Sequence, residues 1–468
     1  MRRFPWAFAA LNLAVICFHI NLFGGWNQLS RALPLVSLVE EGTLQIDAHH
    51  QLTGDKALID GHYYSDKAPA ATFLALPAYA FARVAFSGSR YATDGPRVES
   101  RAVGDAILIG TLVSSALPFL AILLLFVSRL DAGAGPNGVA SPRMTAVGLL
   151  YGTYVFAYAD YFFGHMLAAL LLLLAYFALF ERRAPFAAGL ALGGAVFTEY
   201  PSLVALLVWG VQCAVAGRRR DAVRLALGAG PGVLASLAYN RVLTGDALTP
   251  AYKFESLSDF ARQTQLFGFG LPQPEAAWEL VFGQARGLLF HVPVLLAFVL
   301  ASAVAGPGAP RTWLVSPVRA LLVAHVLLFS SFYMWHGGSC FGPRFLLPAV
   351  VLVLYRLGQR IVAEPVFPRA VFYLAGAAGL AMNLVVLNTS IHIPMSLGPP
   401  FSGFLLPYLQ NGYGADSTLA AQVLGMSLGA RLLVWAAAFA GVLALARGPR
   451  AGAAEEARTV ASVPSTAA

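Results

Sequence analysis

Apolar runs separated by short polar intervals dominate the chain. The runs fall at residues 6–24, 68–87, 103–127, 144–158, 166–180, 185–216, 225–239, 286–304, 318–333, 345–356, 370–388 and 431–446. Most approach the roughly 17–25 residues that a bilayer core requires of a helix. Run 185–216 is too long for one crossing and is interrupted by Thr198-Glu199-Tyr200-Pro201, so it predicts a helical hairpin and brings the segments to thirteen. Segment 68–87 carries Pro69, Pro77 and Arg83 and predicts a complete or a partial crossing. No series of alternating ten-residue strands is present, which argues against a transmembrane barrel. The pattern predicts an all-α polytopic membrane protein of about 12–13 segments over residues 1–448, followed by a disordered cytoplasmic tail at 449–468.

Three intervals are long enough to hold polar chemistry: 26–67, 240–285 and 389–430. The clusters of basic residues lie in other, shorter intervals, among them Arg182-Arg183, Arg218-Arg219-Arg220 and Arg447/Arg450. Under the positive-inside rule those are cytoplasmic, which places the three long loops and 334–344 together on the outer side. The first loop concentrates charge, with Glu40, Glu41, Asp47, Asp55, Asp60 and Asp66 beside Arg31, Lys56 and Lys67.

Composition agrees. The 468 residues are 58% hydrophobic and 12% charged, against about 25% charged in soluble domains. The net charge of +8 is dispersed over short loops rather than gathered in a patch, which excludes a nucleic-acid surface. Cys17, Cys213 and Cys340 are isolated and form neither a disulfide framework nor a CxxC metal pair. Met1-Arg2-Arg3 before an apolar run, without a small-residue cleavage site, predicts an uncleaved first helix.

Several clusters could carry chemistry. In Tyr63-Tyr64-Ser65-Asp66-Lys67-Ala68-Pro69 a lysine stands directly before a span, where an ammonium can hold a phosphate as a point charge. The same position suits a snorkelling lysine, and the tyrosines suit an interfacial belt. Asp160 and His165 flank a short turn that predicts an outer mouth between two spans. Glu199 is an acid at membrane depth, costly unless it is paired or faces a cavity. Trp335-His336-Gly337-Gly338 and Gly342-Pro343-Arg344 combine flexible backbone with a guanidinium able to grip phosphate bidentately. A tight interfacial turn is the plainer reading of that stretch. His49, His50 and His62 near Asp47 match no recognised metal spacing; no metal ligand is assigned, and a divalent metal stays open.

Taken together, Asn27-Gln28-x-x-Arg31, Gly42-Thr43-Leu44-x-Ile46-Asp47, Gly61 to Pro69, Tyr239-Asn240, Gly245-Asp246, Trp335 to Gly338 and Gly342 to Arg344 resemble a bacterial group of GT-C membrane glycosyltransferases. These are relatives of the protein-mannosyltransferases and aminoarabinose transferases, and the resemblance spans roughly residues 20–360. It implies a GT-C-like bundle with a long first outer loop, in the bacterial cytoplasmic membrane, with its active site on the outer side. It further implies a polyprenyl-phosphate sugar donor and a glycan, lipid or protein acceptor. Lys67-Ala68-Pro69 resembles the Lys-Pro-Pro element whose lysine meets the carrier phosphate. Asn27, Gln28, Arg31, Tyr63, Tyr64, His165, Glu199, Tyr239, Asn240, Trp335, His336 and Arg344 are the accompanying substrate-binding candidates. Many relatives carry a catalytic Asp in an Asp-Glu-x-Arg-like motif, and alignment on Arg31 puts Gln28 in its place. An amide cannot take a proton. Asp47, Asp60 and Asp66 are then the local base candidates, with Asp160 outside the loop. Asp66 could instead partner Lys67, and Asp47 could cap a helix. The alternatives are a lipid-linked glycan flippase or transporter, or an envelope-assembly scaffold.

Overall fold

A computed structural model describes residues 6–85, 101–134, 140–257, 265–304, 316–394, 399–412 and 417–447. The expected tail at 449–468, and parts of the loops 240–285 and 389–430, lie outside them. The chain is mostly helical. Among the described residues five helices are long and apolar enough to cross a membrane: Ala102–Ala132, Arg219–Thr244, Arg344–Ala363, Arg369–Leu387 and Leu428–Arg447. Seven shorter apolar helices accompany them, among them Trp6–Cys17 (α1), Ala70–Ala85, His165–Glu181 and Pro317–Ser330. At about 1.5 Å per residue, the 16 described residues of Ala70–Ala85 rise roughly 24 Å.

The first polar interval departs from a plain loop. Trp26–Glu40 forms a helix (α2) in which every residue from Gln28 to Ser37 is buried. Leu29, Leu33 and Val36 recur at helical spacing, and α2 packs on Ala70–Ala85 and on the helix beginning at Arg101. The interval also contains strands Lys56–Ile59 (β1) and His62–Ser65 (β2), paired antiparallel with Ile59 opposite His62. The fold is therefore not purely α. Asp60 and Gly61 form the two-residue turn with φ +51° and +86°, the left-handed pair that an Asp-Gly turn supplies.

The predicted break within 185–216 is present. Helix Pro185–Thr198 (α3) ends at Thr198, and Glu199 is extended at φ −148°, ψ 110°. Pro201 disfavours further α-helix at the residue before it. The chain turns back through Leu203–Val215 (α4) and ascends again as Arg219–Thr244 (α5). Close contacts run in parallel register along α3 and α5: a Cβ on Gly193 would lie 2.5 Å from the Ala229 carbonyl, and one on Gly232 would lie 2.2 Å from Gly193. Small residues permit this approach. The register carries Glu199 to the level of the upper end of α5, where the Tyr200 hydroxyl donates to Asn240 Oδ1 at 3.2 Å.

Candidate active site

The first interval, the 199–204 turn, the 240–269 region, the 328–345 stretch and residues 392–394 converge around one cavity of about 1470 Å³. Its wall is polar on the side of α2 and the β-hairpin. Leu203, Val204, Leu328, Phe329 and Phe332 make another part apolar.

Charge is distributed unevenly over the polar wall. Lys67 Nζ donates to Asp55 Oδ2 at 2.8 Å and to Asp66 Oδ2 at 2.7 Å. Burial alone would lower the lysine's pKa, but the two carboxylates outweigh it and raise it. Burial likewise works to raise the Asp55 carboxyl, yet Lys67 first, then Arg344 and Arg31, bring it below its ordinary value. Asp66 is further fixed by the Ser30 hydroxyl at 2.9 Å, so α2 and the strand end hold the pair together.

A second network surrounds Arg31, which is only 2% exposed. Its two terminal nitrogens donate to Asn27 Oδ1 and Glu199 Oε1, each at 2.7 Å. Asn27 and Arg31 stand one helical turn apart on α2, which gives them a common face. His165 Nδ1 lies 3.6 Å from the same Glu199 oxygen. The membrane-level acid is thus both paired and on the cavity, as its cost requires.

Arg344 differs. It makes no ion pair or hydrogen bond among the described residues, and its buried Nε has no partner. Its guanidinium lies over Phe345 at 5.0 Å and Phe163 at 5.5 Å, a cation–π setting. The backbone around it is clamped by Arg286, 1% exposed, whose side chain donates to the carbonyls of His336, Gly338 and Ile393 at 2.8–2.9 Å. Gly337 takes φ +74°, and a Cβ there would fall 2.9 Å from Arg344 Nε; glycine is what lets the turn close over the guanidinium.

Of the predicted site residues, Asn27, Arg31, Asp66, Lys67, His165, Glu199, Asn240, His336 and Arg344 line the cavity. Gln28 is buried just behind it, 3.5 Å from His392. Tyr239 packs against Phe73, Tyr63 stacks on His50, Tyr64 accepts from Gln45, and Trp335 meets the ring of His336 edge-on; none of these four lines the cavity.

The base candidates separate sharply. Asp47 lies at the surface, bonded to His62 at 2.7 Å and to the Tyr63 amide at 2.6 Å. Asp60 is the exposed hairpin turn. Asp160 does not occupy a solvated mouth: it is 0% exposed, with both carboxylate oxygens unpartnered. The whole Phe156–Asp160 turn is folded inward, and burial drives that carboxyl's pKa well up. Among the described residues no three His, Cys, Asp or Glu side chains are grouped to hold a metal ion.

The cavity also includes Asp55, Tyr200, Tyr252, Glu255, Tyr333 and His392, which the sequence reading did not select. Asp55 was within reach of it, as an acid just before a β-hairpin whose turn is marked by Asp-Gly. Glu255 carries no local signal; a backbone bridge to Ala57 brings it in. Compared with known proteins, the sequence matches no family model, no curated protein and no solved structure.

Proposed function

We propose that the protein is a membrane glycosyltransferase of GT-C type. It moves a sugar from a polyprenyl-phosphate-linked donor to an acceptor at the outer face of a bacterial cytoplasmic membrane. Arg344 carries this reading: an uncommitted guanidinium on the wall of a large cavity that is polar on one side and apolar on another. A lipid phosphate needs that combination, a charged grip for the head and an apolar path for the chain. Lys67 has three donors and spends two on Asp55 and Asp66, which leaves one N–H for a phosphate oxygen. As the carbon–oxygen bond breaks, charge grows on the phosphate, and a preorganised cation opposite it lowers the barrier. Asn27, Arg31, His165, Glu199, Asn240 and His336 line the remainder of the pocket and bind the sugar and acceptor. Five long and seven shorter apolar helices among the described residues support a GT-C-like bundle of 12–13 segments.

Purified protein in lipid nanodiscs, given synthetic undecaprenyl-phosphate-linked hexoses and pentoses with a bacterial envelope extract as acceptor, should release undecaprenyl phosphate and glycosylate the extract. A protein with no measurable affinity for undecaprenyl phosphate would overturn the reading. Binding without turnover of any donor would favour transport instead.

A further inference from the structure

We infer that Glu255, rather than any acid of the first loop or Asp160, takes the proton from the acceptor; the inference rests on the sugar-transfer reading above. Among the described residues four carboxylates line the cavity: Asp55, Asp66, Glu199 and Glu255. Asp55 and Asp66 share Lys67, and Glu199 holds Arg31. Glu255 alone makes no ion pair among the described residues. Its one hydrogen bond is a long 3.4 Å contact from the Leu257 amide to Oε1. It is only 7% exposed, and its backbone is fixed on the edge of β1 by the Ala57 bridge and by Ser256 N–H donating to the Lys56 carbonyl at 3.0 Å. A carboxyl carried on a fixed backbone at a cavity wall, with its lone pairs largely unspent, has the geometry of a general base.

The charged groups around it set its protonation. Asp55, Asp66 and Lys67 face it from the first interval, Lys56 from β1, and Tyr252 and Tyr333 from the neighbouring wall. Lys56 is engaged with the His50 carbonyl at 2.6 Å, and Tyr252 with Tyr333 at 2.9 Å. Burial, then the negative charge of Asp66, push Glu255 up to about 8; Lys67 opposes this and Asp55 adds to it. The carboxylate form therefore grows as pH rises toward 8 and saturates above it.

In the transfer step the Glu255 carboxylate accepts the acceptor's hydroxyl proton. The oxygen then forms a bond to the anomeric carbon from the face opposite the phosphate. The anomeric carbon–phosphate oxygen bond breaks, its electron pair stays on the phosphate, and configuration inverts. Polyprenyl phosphate departs, and Glu255 returns its proton to water in the open cavity.

The test uses the full chain in nanodiscs with the same synthetic donors and extract, between pH 6 and 9. Wild-type turnover should climb up to tenfold per pH unit and level off near 8. Glu255→Gln should lose at least about 100-fold in rate together with that limb, while binding undecaprenyl phosphate within threefold of wild type. Glu255→Asp should restore part of the rate and a pH limb, which a purely structural role would not do. Independently of any sugar, dicyclohexylcarbodiimide should label Glu255 at pH 6.5, fade above 8, and spare Asp55 and Asp66. A Glu255→Gln protein that keeps the limb or a tenth of the rate overturns the assignment, as does an unlabelled Glu255 at pH 6.5. Wild-type protein that binds no undecaprenyl phosphate overturns the donor reading as well, and the labelling then reports the protonation of Glu255 alone.

Discussion

Replacing Arg344 by Ala separates a ligand-binding cation from a structural one. A structural arginine leaves an orphaned carboxylate when removed, and breaking such a buried pair costs about 3–5 kcal/mol. Arg344 has no such partner among the described residues; it loses only its packing on Phe163 and Phe345, at roughly 0.5–1 kcal/mol each for accessible cation–π contacts. The stability loss should therefore stay near 1–2 kcal/mol. A charge-assisted hydrogen bond to phosphate is worth about 1.5–3 kcal/mol, and each 1.4 kcal/mol is tenfold in affinity. Arg344→Ala should thus weaken undecaprenyl phosphate binding roughly 10- to 150-fold and leave the protein folded. Arg344→Lys should recover only part of the loss, because an ammonium cannot reproduce the two-pronged grip. Native mass spectrometry of lipid titrated into nanodiscs reads the affinities, and thermal unfolding followed by tryptophan fluorescence reads stability. Binding within twofold of wild type in Arg344→Ala would refute the reasoning. So would a large stability loss with unchanged affinity for the protein that stays folded.

Lys67→Gln, by contrast, should be strongly destabilising, by about 3–5 kcal/mol, because removing the cation leaves Asp55 and the buried Asp66 facing each other. In wild type, the raised Lys67 pKa contributes stability that is complete below its ordinary value of 10.5 and lost as pH rises through the raised one. The depressed Asp55 pKa contributes stability that is complete above its ordinary value of 3.8 and lost as pH falls through the lowered one. Thermal scans should therefore show the wild-type advantage over Lys67→Gln throughout the window between those two values and its decline in acid; an equal gap at pH 3 would count against the pairing. Gly337→Ala places a Cβ at φ +74° and 2.9 Å from Arg344 Nε; it should cost about 1–3 kcal/mol and weaken lipid phosphate binding, an outcome that unchanged binding would contradict. Asp60→Asn keeps a residue tolerant of the left-handed turn and should leave both stability and turnover within twofold, since the carboxylate faces solvent; a dead variant would restore Asp60 as a base.

The five long apolar helices were legible because hydropathy reports suitability for a bilayer core directly. The Pro201 break was legible because proline acts locally. The polar appearance of residues 26–31 hid α2: Gln28, Ser30 and Arg31 are polar yet buried, and their partners His392, Ser65, Asp66 and Glu199 lie outside the helix. An amphipathic stretch whose polar residues satisfy one another looks like a loop when read alone. The Asp-Gly turn was a readable hairpin signal, and it would have assigned Asp60 a turn role.

The assignment of a proton acceptor shows why residue type could not suffice. Asp47, Asp60, Asp66, Asp160 and Glu255 are all carboxylates, and sequence proximity to a motif favours the first three. What separates them is what each oxygen already touches. Asp66 is spent on Lys67 and Ser30, and Asp47 on His62 and the Tyr63 amide. Asp60 is given to a turn, and Asp160 is sealed in the core. Glu255 enters only because Glu255 and Ser256 pair with β1 nearly two hundred residues earlier in the chain. The same logic selects Arg344 over Arg31 and Lys67 as the leading phosphate ligand: among three cations on one wall, the one without a carboxylate has charge left for a ligand. A site of this kind is defined by unspent valence, a property of the folded pairing pattern and not of any short run of residues.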